Sequence, residues 1–180
     1  MASLTPRGRA LRWLTNHRGI TEDPPGSNRD QRADGITAAQ KRLGTWLIGL
    51  PWCGVWAANA ALAGGVDIDK PYRWASVANI EYDAKAKTNG FRGWISKPAP
   101  TGAHWRDVYR ADLVVMFGSG VHVETIRSSA WIYRKLGLIR TEGGNTSSGD
   151  AGSQDNGGGA FPRWRRISDI YGVAKVDYPN

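Results

Sequence analysis

The sequence predicts an α+β domain, with helices in its first half packed on an antiparallel β-sheet of about five or six strands. Up to residue 90, apolar residues recur at helical spacing between glycine- and proline-rich stops. Beyond residue 110, short apolar runs alternate with polar residues and are separated by tight glycine turns. The chain has 180 residues, enough to bury one core, and its 23 glycines and 9 prolines call for many turns within one domain spanning 1–180.

Each element has its own warrant. Arg7 to Asn16 reads as a helix with Leu11, Trp13 and Leu14 on one side and His17-Arg18-Gly19 as its stop. ITEDPPGSNRDQRADG, residues 20–35, is loop, because two prolines and several Gly, Ser and Asn residues favour turns. Gly49-Leu50-Pro51 leads into a second helix, Trp52 to Ala63, with Pro51 starting it and Gly64-Gly65 closing it. Tyr72 to Lys87 forms a third, carrying Trp74, Val77, Ala78 and Ile80-Glu81, and Gly90 ends it. Asp112 to Phe117, the turn Gly118-Ser119-Gly120, and Val121 to Ile126 make an antiparallel pair. Ser128 to Leu136 is either a helical turn or a widened hairpin end, before a strand at Leu138 to Glu142. Residues 143–159 are too polar and glycine-rich to pack and read as a mobile loop. Ala160 to Arg166 and Tyr171 to Tyr178 supply two further strands.

Charge and cysteine usage bound the function. A single cysteine excludes an internal disulfide and leaves one free thiol. A net charge of +8 favours an anionic partner, whether nucleic acid, a lipid surface or an anionic wall. No apolar run reaches the length of a signal peptide or a membrane span, so the expectation is synthesis in a cytoplasm without an export signal and no membrane insertion. No DNA-reading helix or RNA-binding motif accompanies the charge, so nucleic acid is not the expected partner.

The thiol is placed where chemistry is possible. Cys53 falls at the start of a helix, where unpaired N–H groups and the positive dipole end favour a thiolate and could hold an oxyanion. A nucleophilic cysteine needs a base. Of His17, His104 and His122, the last lies on a strand behind a glycine turn, while the other two read as solvated surface residues. Two acids compete to orient it: Glu124, two residues along and on the same strand face, and Glu142 at the end of the next strand, with Asn145 beyond it. Spacing leaves the choice open.

Four segments, in order, resemble one family. EDPPGSNR at 22–29, PWCGVW at 51–56, RADLVVMFGSGVHVETI at 110–126 and TEGGNTSSG at 141–149 look like the CHAP domain, the cysteine, histidine-dependent amidohydrolase and peptidase module of phage endolysins. NGGGAFPRWRR and YGVAKVDY resemble its closing strands, which leaves no room for a separate wall-binding domain. The resemblance implies a papain-like fold, with Cys53 as nucleophile, His122 as base and Glu142 as the acid that orients it. An extra glycine separates Glu142 from Asn145, and Glu124 stands where the family commonly has glycine, so Glu124 and Asn145 are carried as supporting residues. Some CHAP domains hold calcium through an aspartate-rich loop before the cysteine; Gly35 to Leu50 has no acidic residue, so no metal and no cofactor are expected.

The function this implies is a peptidoglycan hydrolase cleaving either the muramoyl–alanine amide or a peptide bond of the wall. It would work as a monomer, reaching the wall after release from the host cytoplasm. The alternative is a non-catalytic wall- or glycan-binding or phage structural module of the same fold. Of the nine tryptophans, Trp13, Trp56 and Trp74 are expected in the core and Trp52, beside the thiol, near substrate.

Overall fold

The computed structural model describes residues 4–100, 102–146 and 158–180. Helix α1 spans Pro6–Asn16, begun by Pro6 and by Thr5, whose hydroxyl accepts the Gly8 N–H at 3.1 Å. Ala10, Leu11 and Leu14 form its buried stripe. Helix α2, Ile36–Leu43, was not expected. Ile36, Ala39, Gln40 and Leu43 are buried at helical spacing, but the polar Gln40 interrupts the apolar pattern and Gly35 provides no side-chain cap.

Helix α3, Cys53–Ala63, is the central helix, buried from Cys53 through Ala61. Its small residues permit close packing. A β-carbon on Gly54 would lie 1.9 Å from the Trp74 carbonyl oxygen, so the segment Pro71–Ala75 sits directly on this helix. The third expected helix is divided. Pro71–Ala75 is a short 3-10 turn, Ser76 then caps a new helix by accepting the Asn79 N–H, and α4 runs Val77–Ala86. A fifth short helix, α5, lies at Trp131–Lys135.

The strands are β1 Phe91–Ser96, β2 Leu113–Met116, β3 His122–Ser128, β4 Leu138–Thr146, β5 Gly159–Arg166 and β6 Ile170–Val176. They form one sheet in the order β1-β6-β2-β3-β4-β5, antiparallel throughout, so the fold is α+β with a six-stranded antiparallel sheet. β1 escapes the period-2 pattern because its pairing with β6 slips between Phe91 and Gly93. Strand β4 extends further than expected. Gly143 to Thr146, expected in a mobile loop, are buried strand residues, while 147–157 lie outside the described residues.

Both faces of the sheet centre are covered. Leu113, Val115 and Val123 face the helices, whereas Val114, Met116, Ile126 and Ile139 pack with Trp105 and Val108 on the other side. The all-apolar β2 is the consequence, since a strand buried on both faces has no polar alternation.

Candidate active site

Cys53 is the first residue of α3, with Trp52 as N-cap and Pro51 one position earlier. The helix therefore begins one residue later than expected, and Pro51 precedes the cap instead of occupying the first turn. Its effect is on the approach: proline holds the chain extended before the helix, and the Leu50 carbonyl is fixed by the Gln40 side-chain amide at 2.9 Å. The Cys53 thiol ends beneath a cleft of about 570 Å³, beside His122 and Asn145.

His122 opens β3 after the Gly118-Ser119-Gly120 turn, and its ring is 1% exposed. The imidazole hydrogen-bonds Cys53, and its Nε2 lies 3.2 Å from Glu124 Oε1, which leaves Nδ1 for the thiol. Strand periodicity puts His122 and Glu124 on the same face. Glu124 is fully buried and held by three further hydrogen bonds from two residues: Thr141 donates its hydroxyl to Oε2, Arg165 donates Nε to Oε2 at 3.0 Å, and Arg165 Nη2 donates to Oε1. Gly143 makes room for this acid, because a β-carbon there would lie 2.6 Å from the Glu124 Cγ.

Electrostatics follow from this line of groups. Burial alone pushes the Glu124 carboxyl up, but His122 and Arg165 outweigh it and bring it down to about 2. Burial alone pushes the His122 imidazole down, but hydrogen bonds to Cys53 and Glu124 raise it to about 9. Burial likewise raises the Cys53 thiol, and the His122 partner with the backbone N–H groups of Val123 and Gly54 brings the net below its ordinary value. The three groups bias one another in one direction: the imidazole favours loss of the Cys53 proton, and the sulfur and the Glu124 carboxylate favour a charged ring.

Glu142 is not part of this line. It pairs across the sheet with Thr125, the residue after Glu124, so its side chain lies on the opposite face from the His122 and Glu124 side chains. There Arg18 grips it with two hydrogen bonds of 3.0 and 2.9 Å, and Arg127 Nε lies 3.3 Å away. Of the two acids, Glu124 is the one within hydrogen-bonding reach of the imidazole, and Glu142, expected to orient it, is not. Asn145, three residues further along β4, does reach the cleft, with positive φ of 53° and a buried Oδ1 that has no hydrogen-bond partner among the described residues.

Trp52 is corrected as well. It is fully buried, donates Nε1–H to Glu22 Oε1 at 3.0 Å and packs edge-on against Trp56, so it anchors the 20–35 loop beneath α3 and does not line the cleft. The aromatic residues at the cleft are Trp46 and Tyr72, 62% and 44% exposed, with ring centroids 6.3 Å apart. Their exposure has no periodic signal in the sequence, and only the fold brings residues 46 and 72 together. His17 and His104 stay away from the cleft. His17 is partly buried, stacked on Trp13 at 4.1 Å, so it is not the solvated residue expected. Among the described residues, no group of three or more His, Cys, Asp or Glu could hold a metal ion.

Family models, curated proteins and solved structures give no match to this chain. The chemistry therefore has to be read from the cleft. A helix N-terminus presents a thiol with a lowered pKa, a strand presents an imidazole beside it, and among the described residues the cleft walls next to them carry Leu50, Tyr72, Val77 and Val121 and no Asp, Glu, Lys or Arg. Such a site is suited to attack on a neutral carbonyl carbon.

Proposed function

We propose that this chain is a cysteine-dependent amidase or peptidase that hydrolyses an amide bond of bacterial peptidoglycan, on a papain-like architecture as the CHAP resemblance implies. The observation that carries it is the Cys53–His122–Glu124 line beneath the cleft. The Cys53 sulfur attacks the amide carbonyl carbon, and the negative charge moves to the carbonyl oxygen, toward the backbone N–H groups at the start of α3. His122 gives its Nδ1 proton to the leaving nitrogen, the C–N bond breaks, and a thioester remains. The now neutral imidazole takes a proton from water, the hydroxide oxygen adds to the thioester, and the acid product leaves as sulfur returns to thiolate. Glu124 keeps the imidazole in one orientation throughout. Asn145 Oδ1 is placed to accept an N–H from the substrate amide.

The wall as substrate rests on the resemblance, supported by a charge of +8 that attracts an anionic polymer and by Trp46 and Tyr72, whose exposed rings offer a stacking surface to a sugar. Peptidoglycan is then the partner, met by a monomer after release from the host cytoplasm. The test is turbidity of a purified wall suspension. It should fall with the parent and change at least about 10³-fold more slowly with Cys53→Ser. Equal clearing by Cys53→Ser overturns the mechanism; binding of walls without release of new amines or reducing ends by the parent favours the non-catalytic module.

A further inference from the structure

Away from the cleft, helix α5 and the adjoining face of β4 and β5 carry apolar side chains that the fold does not use. Trp131 and Ile132 are each 60% exposed and Leu136 is 70% exposed, and α5 contains no buried residue at all. Trp164, opposite Arg140 in the β4–β5 ladder, is half exposed and meets the Tyr133 ring at 4.7 Å, which makes the group continuous. Contiguous exposed apolar residues of this kind mark a contact surface.

The segments that carry the patch hold charges of one sign. From Arg127 to Thr141, and again from Gly159 to Ser168, the sequence contains no Asp or Glu. Lys135 Nζ lies 4.0 Å from the Trp131 ring centroid and the Arg140 guanidinium 5.9 Å from that of Trp164, so the cations stand among the aromatic rings. Glu142, the nearest acid along β4, is buried against Arg18 and Arg127 and does not neutralise the face.

We infer that this face, α5 with Arg140 and Trp164, docks on the surface of an anionic lipid bilayer. The aliphatic residues decide among anionic partners. A glycan or a nucleic acid strand stacks on tryptophan and pairs with arginine but gains little from Ile132 and Leu136, the most exposed aliphatic residues of the patch. A bilayer interface takes all three kinds: aliphatic groups enter the acyl boundary, Trp131 and Trp164 sit at headgroup level, and Lys135 and Arg140 meet phosphates. A second copy docked face to face would oppose the same cations to one another. No helix among the described residues is long and apolar enough to cross a membrane, so the contact lies in the interfacial plane.

This inference is independent of the hydrolytic reading and is tested without it, in the Cys53→Ser protein. Vesicles of phosphatidylglycerol and phosphatidylethanolamine should co-sediment the protein and shift its tryptophan emission to the blue, while phosphatidylcholine vesicles should not. Ile132→Glu with Leu136→Glu should weaken binding by about 10-fold or more, as should Lys135→Glu with Arg140→Glu, and added salt should weaken it further. All four positions are exposed, and an unchanged circular dichroism spectrum and thermal transition verify that the variants fold. Absence of binding to the anionic vesicles, equal binding to both vesicle types, or undiminished binding by both double variants overturns the inference. So does a parent dimer in sedimentation that Ile132→Glu separates, or wall-glycan binding through these residues with vesicles ignored.

Discussion

Glu124 and Glu142 lie on neighbouring strands, both fully buried and both gripped by arginine, yet only one stands behind the base. Composition and burial do not separate them; strand parity does. Glu124 shares a face with His122, whereas Glu142 pairs with Thr125 and falls on the reverse side. Each carboxylate is ion-paired with an arginine inside the fold. The remaining contact then separates them: an imidazole joins Glu124 to the proposed catalytic line, and Arg127, which also donates to the Leu11 carbonyl at 2.9 Å, makes Glu142 a clamp between α1 and the sheet.

The largest expected difference is in rate. Glu124→Gln preserves shape but removes the charge that holds an imidazolium, and hydrolysis should slow by about 10²-fold or more. Glu142→Gln should stay within a few-fold of the parent per folded molecule. The measurement is initial rate on wall suspensions at matched folded fraction. Equal losses in the two variants would dissolve the distinction between the acids, and a larger loss in Glu142→Gln would reverse it.

Stability is where Glu142 should show its own contribution. Glu142→Gln leaves Arg18 and Arg127 without their carboxylate, and about 1–3 kcal/mol of folding stability should be lost, with the exposed part of Arg18 limiting the effect. Urea unfolding reads it, and adding Arg18→Gln to that variant should cost less than Arg18→Gln alone. Gly144→Ala probes the wall between the two clusters. Its β-carbon would lie 2.3 Å from the Trp52 ring and 2.8 Å from the Trp56 Cβ, so about 1–3 kcal/mol of overpacking is expected without any change in charge.

Sequence reading reached most of the helices and strands, the helix start that carries Cys53 and both candidate acids, because each rests on local pattern. It did not reach what depends on register. Nothing in TEGGNT reveals which residue of β4 lies opposite Thr125, and a one-residue change in that pairing exchanges the two faces. The second glycine is the local trace of this arrangement: Gly143 clears space for Glu124 and Gly144 for Trp52 and Trp56. Trp52 was placed near substrate by its neighbour Cys53, but adjacent residues at a helix start point in different directions, and one of them must fill the core. α2 and β1 were missed where a buried glutamine and a bulge broke the periodicity.

The smallest expected difference is in pH dependence, and it is the most specific. The proposed mechanism needs Cys53 deprotonated and His122 protonated, so the alkaline limb of the rate profile should follow the imidazole, near pH 9. That pKa lies above the ordinary 6.5, so the His122 ion pairs stabilise the fold fully below 6.5 and lose this contribution as pH rises through about 9. Glu124 runs the other way: its pKa of about 2 lies below the ordinary 4.5, so its contribution is full above 4.5 and is lost as pH falls through about 2. Removing the Glu124 charge takes away one of the groups that raise the imidazole, and in Glu124→Gln the alkaline limb should move down by about one pH unit. In Glu142→Gln it should not move, because that carboxylate makes no contact with the ring. Following the rate of thiol alkylation by iodoacetamide across the same range separates the ion pair from substrate binding. A limb that moved in Glu142→Gln and stayed fixed in Glu124→Gln would assign the orienting role to the acid on the other face.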